Sequence, residues 1–289
     1  MVLPAVGTQP PWQGAGEKRG MMWFKSKTPK RLDSPAGPKD KRAYAIGDIH
    51  GRYDLLDALL RAIKQDAADR PNMETHLISL GDLIDRGPES NRVVECFSKP
   101  VDGFTATHVL MGNHEEMLVR GIRGEANLLQ GWLDHGGYAC AESYGVNAAY
   151  LKGQADDILE DALVAAIPQR HVAVMANALE RIRFGDYFLV HAGIRPGVAL
   201  DDQSARDMRW IRKPFLECDD PLGCVVVHGH TVIEDVEERS NRIGLDTGAY
   251  KSGLLTAIRI EGRERSYIKA HDDGGSIRVY REPHPGQPG

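Results

Sequence analysis

Three short apolar segments, each followed by a glycine and then by polar residues, constrain the fold of this chain more than any other feature. Residues 43–46, 76–80 and 107–111 have the length and composition of buried β-strands. Residues 55–63 and 89–98 lie between them and place their apolar side chains on one helical face. A β-α-β-α-β order that repeats about every 30 residues predicts a parallel sheet covered by helices. The carboxyl ends of such strands share one edge of the sheet, where ligands bind.

The second half of the chain begins with a helical segment and then returns to strands. Residues 124–180 carry helical patterns and no clear strand pattern, which predicts a helical insertion over one end of the sheet. Strand patterns then recur in six segments, of which the last two are weaker: 186–190, 224–228, 242–246, 254–260, 266–270 and 276–281. The predicted fold class is therefore α/β.

Local composition divides the chain into one domain with two unstructured ends. Residues 1–41 are rich in Pro, Gly and Lys and poor in apolar residues, which predicts a disordered or non-native N-terminal tail. Met21 and Met22 are alternative starts within it. Residues 42–282 form the predicted domain, and the Pro and Gly of residues 283–289 predict a frayed C-terminus.

Charge, hydropathy and cysteine content exclude several classes of protein. The 289 residues carry 36 basic and 41 acidic side chains, a formal net charge of −5, whereas proteins that bind nucleic acid through bulk electrostatics are normally basic. No apolar stretch approaches the roughly 20 residues that span a bilayer. Four cysteines without a CxxC pair indicate reduced thiols. We therefore expect a cytoplasmic protein that binds neither nucleic acid nor membrane.

Five motifs place ligand-type side chains at the ends of predicted strands. They are GDIHG at 47–51, GDLIDRG at 81–87, GNHE at 112–115, HAG at 191–193 and HGHT at 228–231. Because parallel strands end along one edge, we expect these carboxylates, imidazoles and one amide to converge. Such a donor set suits Mn, Fe or Zn better than Ca. One carboxylate between two of these ions can bridge them, an arrangement that polarises a phosphate.

The same motifs resemble those of the calcineurin-like metallophosphoesterases, most closely the phosphoprotein phosphatase branch in its bacterial and bacteriophage lambda form. The resemblance covers nearly all of residues 43–262. It implies a central β-sandwich of mixed sheets flanked by helices, with a dinuclear metal centre at one edge. It also implies two divalent ions, in the first place Mn, with Fe, Zn or Ni as alternatives. A hydroxide that bridges them would attack the phosphoryl group directly and in line.

The resemblance also implies a role for each motif residue. The metal ligands would be Asp48 and His50 for the first ion, Asp82 for both ions, and Asn113, His191 and His230 for the second. His114 would be the general acid that protonates the leaving oxygen, and Asp85 would orient it. Arg86, together with the Asn113 amide, would bind the substrate phosphate.

A second phosphate-binding arginine is expected near Trp210. Arg212 is the preferred residue because it follows the Trp-Ile pair of a segment that resembles the family, and Arg209 is its competitor. Tyr250 lies in a segment that resembles the substrate-facing loop, although a packing role is equally compatible. We expect Glu115 to open a helix and to form hydrogen bonds behind the ligands.

Three other side chains near the motifs are expected to pack rather than to react. His228 precedes the motif ligand by two residues and has no motif support of its own. Trp132 and Tyr144 lie in the helical insertion, where burial is the commoner role of large aromatic residues.

These features predict a metal-dependent phosphomonoesterase, most consistent with a serine/threonine protein phosphatase. The symmetrical bis(5′-nucleosyl)-tetraphosphatases of this superfamily usually carry Ala where this chain has Asp85, so they, or another nucleotide or polyphosphate hydrolase, are the alternative. A non-catalytic metal-binding regulator is a remote alternative, since it would require the loss of a ligand. The expected partner is a phosphoprotein, a phosphopeptide or a small phosphorylated metabolite, and the oligomeric state stays open.

Overall fold

Two mixed β-sheets packed face to face form the centre of the molecule. The computed structural model describes residues 30–283, so most of the predicted tail and of the predicted frayed end lies outside the described residues. The strands are β1 (Lys41–Ile46), β2 (Glu74–Ser79), β3 (Ala106–Val109), β4 (Arg181–Phe184), β5 (Tyr187–Val190), β6 (Val225–His228), β7 (Glu237–Glu238), β8 (Arg242–Gly244), β9 (Leu254–Glu261), β10 (Glu264–Asp272) and β11 (Ile277–Pro283).

The helices lie mainly in the first two thirds of the described chain. They are α1 (Tyr53–Ala68), α2 (Ser90–Phe97), α3 (Asn113–Gly121), α4 (Leu128–Trp132), α5 (Tyr138–Ser143), α6 (Ala148–Leu151), α7 (Asp156–Ala166), α8 (Gln169–Ala176), α9 (Ala205–Trp210) and α10 (Ala249–Ser252). Helices α4 to α8 confirm the predicted insertion at 124–180. A π-helical turn over Leu133–Gly137 joins α4 to α5.

The strand order shows why both sheets are mixed. The first sheet has the order β11-β10-β9-β1-β2-β3, in which β1, β2 and β3 are parallel and β9 runs antiparallel to β1. The second has the order β4-β5-β6-β8-β7, in which β5, β6 and β8 are parallel. The predicted α/β class and β-sandwich are confirmed. Strands β4 and β7 and helix α9 were not predicted, because each is too short to show a period.

Alternation along β1 explains the layers. Ala43 and Ala45 face the second sheet and pack in one apolar cluster with Leu189 and Val227. Tyr44 and the other alternate residues of β1 face the helices on the outer side. Because successive side chains of a strand point to opposite faces, a fully apolar strand joins both layers.

The folded body begins a few residues before the predicted boundary at 42. The Ala36 N–H donates to Asp186 Oδ2 at 2.9 Å, and the Gly37 N–H donates to the Gly262 carbonyl at 2.7 Å. These bonds tie the approach to β1 to both sheets, which a composition rich in Pro and Lys did not indicate. Among the described residues, no helix is both long and apolar enough to cross a bilayer.

Candidate metal centre

The five motifs meet at one edge of the sandwich, as their positions after strands predict. The backbone N–H of His50 donates to the Asp82 carbonyl at 2.9 Å, which joins the first motif to the second. The His230 N–H donates to Asp48 Oδ2 at 3.0 Å, and the Gly229 N–H donates to the His191 carbonyl at 2.8 Å. Residues up to 182 positions apart in the chain are thus in direct contact.

Two overlapping groups of ligand atoms lie close enough to hold a cation each. The first contains His50, Asp82 and His114, and the second contains Asp82, His191 and His230; within each group the ligand atoms lie within 4.8 Å of one another. Asp82 Oδ2 is 3.5 Å from His50 Nε2, and its Oδ1 is 3.5 Å from His191 Nε2. A carboxylate whose two oxygens face two different imidazoles has the geometry needed to bridge two ions.

Backbone carbonyls fix which nitrogen of two histidines faces Asp82. The His50 Nδ1–H donates to the Ile84 carbonyl at 2.7 Å, and the His191 Nδ1–H donates to the Leu80 carbonyl at 2.9 Å. Burial lowers the pKa of His50 to about 3 and also lowers that of His191. Both imidazoles therefore favour the neutral form, in which Nε2 carries the lone pair that a metal ligand needs.

Buried polar atoms without partners mark the same place as a cation site. Among residues 30–283, Asp48 Oδ1 and His230 Nε2 are buried and have no hydrogen-bond partner. Burial and the neighbouring Asp246 carboxyl raise the pKa of Asp48 well above its usual range. Unpartnered buried groups and adjacent carboxylates cost free energy that a divalent cation would offset. Asp48 lies outside the two close groups of ligand atoms, but its Oδ2 accepts from the backbone N–H of His230, a member of the second group.

The predicted ligands of the second ion contact one another through an amide. Asn113 Oδ1 lies 2.8 Å from His230 Nδ1 and 3.0 Å from His191 Nε2. Asn113 is the first residue of α3, so the start of that helix delivers the amide to the centre.

His114 is held beside the centre by a carboxylate and an indole. Its Nδ1 lies 2.5 Å from Asp85 Oδ2, and the Trp132 Nε1–H donates to the same oxygen at 2.8 Å. Burial lowers the pKa of His114, but the charges of Asp82 and Asp85 outweigh it and raise the pKa to about 9. These two carboxylates therefore favour the protonated form of His114. The prediction that Trp132 is buried holds, but its bond to Asp85 was not anticipated.

Arg86 reaches over the centre from the turn that follows β2. Its Nη1 donates to His50 Nε2 at 3.0 Å, and its Nη2 lies 3.1 Å from His114 Nε2. The guanidinium carbon lies 4.6 Å from the centre of the Tyr250 ring, so the Arg86 side chain packs against this ring. This contact gives Tyr250 the packing role left open by its sequence position.

Strained backbone conformations concentrate at this edge. Five residues of the motifs have positive φ although they are not glycines: His50, Asp82, Asp85, Arg86 and His230. Such conformations are uncommon, and they persist where surrounding contacts hold a functional side chain in place.

Glu115 forms several of the hydrogen bonds that fix the backbone of these motifs. Its carboxylate accepts backbone N–H bonds from Asp82 at 2.9 Å, Leu83 at 2.8 Å and Gly112 at 3.1 Å. A Cβ added to Gly112 would lie 2.2 Å from Asp82 Oδ1, so only glycine fits between the helix start and the bridging carboxylate. The expected role of Glu115, behind the ligands, agrees with these bonds.

The two arginine candidates differ in their partners. Arg209 is half-buried and paired with Glu116 at 2.9 Å and with Glu180. Arg212 is exposed, and its Nη2 donates to the His230 carbonyl at 3.4 Å. Arg212 is therefore the arginine that a phosphate could engage. His228 packs its ring 5.1 Å from Phe215, behind the sheet edge.

Comparison with known proteins places these features in a wider group. A family model described as calcineurin-like phosphoesterase matches residues 41–251, a range that includes all five motifs. Serine/threonine-protein phosphatase 2 of Escherichia coli K12 is 27% identical over 230 residues, which cover 76% of this chain and 94% of that protein. An asymmetrical bis(5′-nucleosyl)-tetraphosphatase of Bacillus velezensis is 25% identical over 245 residues, 83% of this chain and 96% of the relative. The structure of a cold-active protein tyrosine phosphatase matches with a TM-score of 0.53 at 19% identity, over 86% of this chain and 81% of the other.

Proposed function

The chain belongs to the calcineurin-like phosphoesterase family and is a hydrolase of phosphoric esters, and we propose that its substrates are phosphoserine and phosphothreonine side chains of proteins. The observation that carries this proposal is the position of His114, whose Nδ1 lies 2.5 Å from Asp85 Oδ2 and whose Nε2 lies 3.9 Å from Asp82 Oδ2. A serine or threonine alkoxide is a poor leaving group, so its departure benefits from a nearby proton donor. Cleavage of a phosphoanhydride in a nucleotide substrate instead expels a phosphate oxygen, which is a weaker base than an alkoxide and depends less on such a donor.

The family uses a dinuclear divalent metal centre, and the described side chains fit one. The proposed metal ligands are Asp48 and His50 for one ion, Asn113, His191 and His230 for the other, and Asp82 for both. When bound, the two ions polarise the phosphoryl oxygens and lower the pKa of an attacking water. The mixed oxygen and imidazole donors favour Mn as the ion, with Fe, Zn or Ni as alternatives.

Arg86 and Arg212 are the proposed phosphate-binding side chains. Each guanidinium is planar and can donate to two non-bridging oxygens at once. Arg86 already contacts both His50, a proposed metal ligand, and His114, the proposed proton donor. Its support by Tyr250 keeps the side chain over the centre.

His114 delivers the proton in the proposed reaction. Asp85 keeps the Nδ1–H in place at 2.5 Å, which leaves Nε2, 3.9 Å from Asp82 Oδ2, as the nitrogen that gives up the proton. Arg86 Nη2 donates to this nitrogen at 3.1 Å, so Arg86 turns to the substrate phosphate before Nε2 carries that proton. As the bond to the serine or threonine oxygen breaks, that proton moves from Nε2 to the departing oxygen. The neutral imidazole keeps its hydrogen bond to Asp85 and can be protonated again by solvent.

A substrate panel tests the proposal. With added Mn²⁺, a phosphothreonine peptide should be turned over with a kcat/KM at least about tenfold above that of diadenosine tetraphosphate, a difference of about 1.4 kcal/mol. The Asp82→Asn variant gives the background in each assay. Turnover of the tetraphosphate without turnover of the peptide would establish the alternative function, a nucleotide or polyphosphate hydrolase. The similarity to the Bacillus velezensis tetraphosphatase supports this alternative. No turnover of any phosphoryl substrate would favour a non-catalytic regulator.

The proposed location is the cytoplasm. All four cysteines are free: Cys96, Cys140, Cys218 and Cys224. Free thiols are typical of a reducing compartment.

A further inference from the structure

Trp210, which contacts the metal centre through His230, lines two cavities. Their volumes are about 560 Å³ and about 530 Å³. The Trp210 ring lies 6.4 Å from that of His230, a proposed ligand of the second ion. A substrate whose phosphoryl group reaches His230 and extends past Trp210 therefore enters these cavities.

The Trp210 side chain is fixed although it is exposed. Its Nε1–H donates to Glu116 Oε2 at 2.6 Å. Glu116 is itself nearly buried and is held by Arg120 at 3.0 Å and by Arg209 at 2.9 Å. Trp210 remains 37% exposed, so the indole forms a rigid apolar platform between the two cavities.

The rim of the platform carries an excess of positive charge. Among the described residues that line the larger cavity, Asp207 is paired with Arg195 at 2.6 Å and Glu217 with Lys213. Within residues 30–283, no carboxylate lies within ion-pair distance of the exposed Arg206, and Arg206 lines both cavities. This positive rim belongs to a chain whose formal net charge is −5.

We propose that the Trp210 platform and Arg206 form a specificity subsite for a phosphopeptide with an acidic residue next to the phosphorylated one. The inference rests on the proposed protein phosphatase function. The backbone of the peptide crosses the indole, and Arg206 pairs with the flanking carboxylate. Two cavities that share Trp210 and Arg206 give room for a peptide that continues past the indole, and the positive charge of Arg206 favours an acidic flanking residue.

Two phosphothreonine peptides that differ only in one flanking residue, Asp or Asn, test the subsite. The wild type should prefer the Asp peptide about fivefold in kcat/KM, which corresponds to about 1 kcal/mol for a partly exposed ion pair. In Arg206→Gln the ratio should approach one. Arg263→Gln is the matched control, because Arg263 is exposed in the β9–β10 turn at the far end of the sheet. Its ratio and its Tm should equal those of the wild type.

Salt gives an independent measurement of the same contact. Raising the ionic strength from about 0.1 M to about 1 M shortens the Debye length from about 10 Å to about 3 Å. The preference of the wild type for the Asp peptide should shrink accordingly, while the ratio of Arg206→Gln should hardly change.

The outcomes separate the subsite from the function on which it rests. Peptide turnover with a wild-type ratio of one, or with a ratio unchanged in Arg206→Gln, would overturn the subsite and leave the phosphatase intact. Turnover of diadenosine tetraphosphate alone, weakened by Arg206→Gln, would overturn both the protein substrate and the peptide subsite.

Discussion

Replacing His114 by Asn tests the division of labour in the site most sharply. The contact with Asp85 and the charge of Asp82 raise the pKa of His114 to about 9 against the effect of burial. The two carboxylates therefore favour the protonated imidazole, which is the form that a general acid needs. Asn fits the space and can still donate to Asp85, but it has no proton to give to a leaving oxygen.

The loss should depend on the leaving group. A general acid contributes about 10²–10⁴-fold, or about 2.7–5.5 kcal/mol of barrier, so kcat on a phosphothreonine peptide should fall by that factor. An aryl phosphate releases a much weaker base, so its kcat should fall by about tenfold or less. The quantity to measure is the ratio of the two losses, in the presence of Mn²⁺ and with the metal content determined on the same samples.

The structure also defines the result that would refute this role. His114 shares a group of close ligand atoms with His50 and Asp82, so it could instead hold an ion. In that case His114→Asn would lose bound metal, and kcat would fall by the same factor on both substrates. His171→Asn is a suitable control, since His171 of the insertion is buried and bonded to Glu95 of α2. It should alter stability but neither metal content nor the substrate ratio.

Three further substitutions test the groups around the centre. Asp85→Asn removes one of the charges that raise the pKa of His114, so the activity that disappears as pH rises through about 9 should disappear at lower pH, by about 1 unit in a pH–rate profile. Gly112→Ala places a Cβ 2.2 Å from Asp82 Oδ1 and should lower both Tm and metal affinity; an unchanged affinity would contradict the close fit. Glu115→Gln turns an NH₂ group towards backbone donors and should cost about 1–3 kcal/mol in urea unfolding.

The sequence predicted the parts of the fold that depend on local patterns. The runs that became β1, β2 and β3 are short and apolar, and each stops at a glycine, so their strands could be found without any partner. The pairing of β9 with β1 could not be found in this way, since Ala43 meets Ile260 across more than two hundred residues of chain. Pairing over such distances depends on the complete sandwich.

The candidate site divides in the same manner. The convergence of the motifs followed from strand topology alone, which explains why Asp48 and His230 could be expected to meet. The bond from Trp132 to Asp85 links the insertion to the second motif across 47 residues, and no pattern in either segment indicates it. The Trp210–Glu116 bond spans 94 residues and was missed for the same reason.

The central claim is that Asp82 lies between two cations. Its most direct test is to measure how many metal ions each chain binds. The purified chain should be loaded with Mn²⁺, desalted and analysed by elemental analysis beside Asp82→Asn. Because the two groups of ligand atoms share Asp82, we expect two ions per chain in the wild type and loss of both in the variant. A wild type that binds no ion under saturating Mn²⁺, or an Asp82→Asn variant that keeps two, would contradict the account.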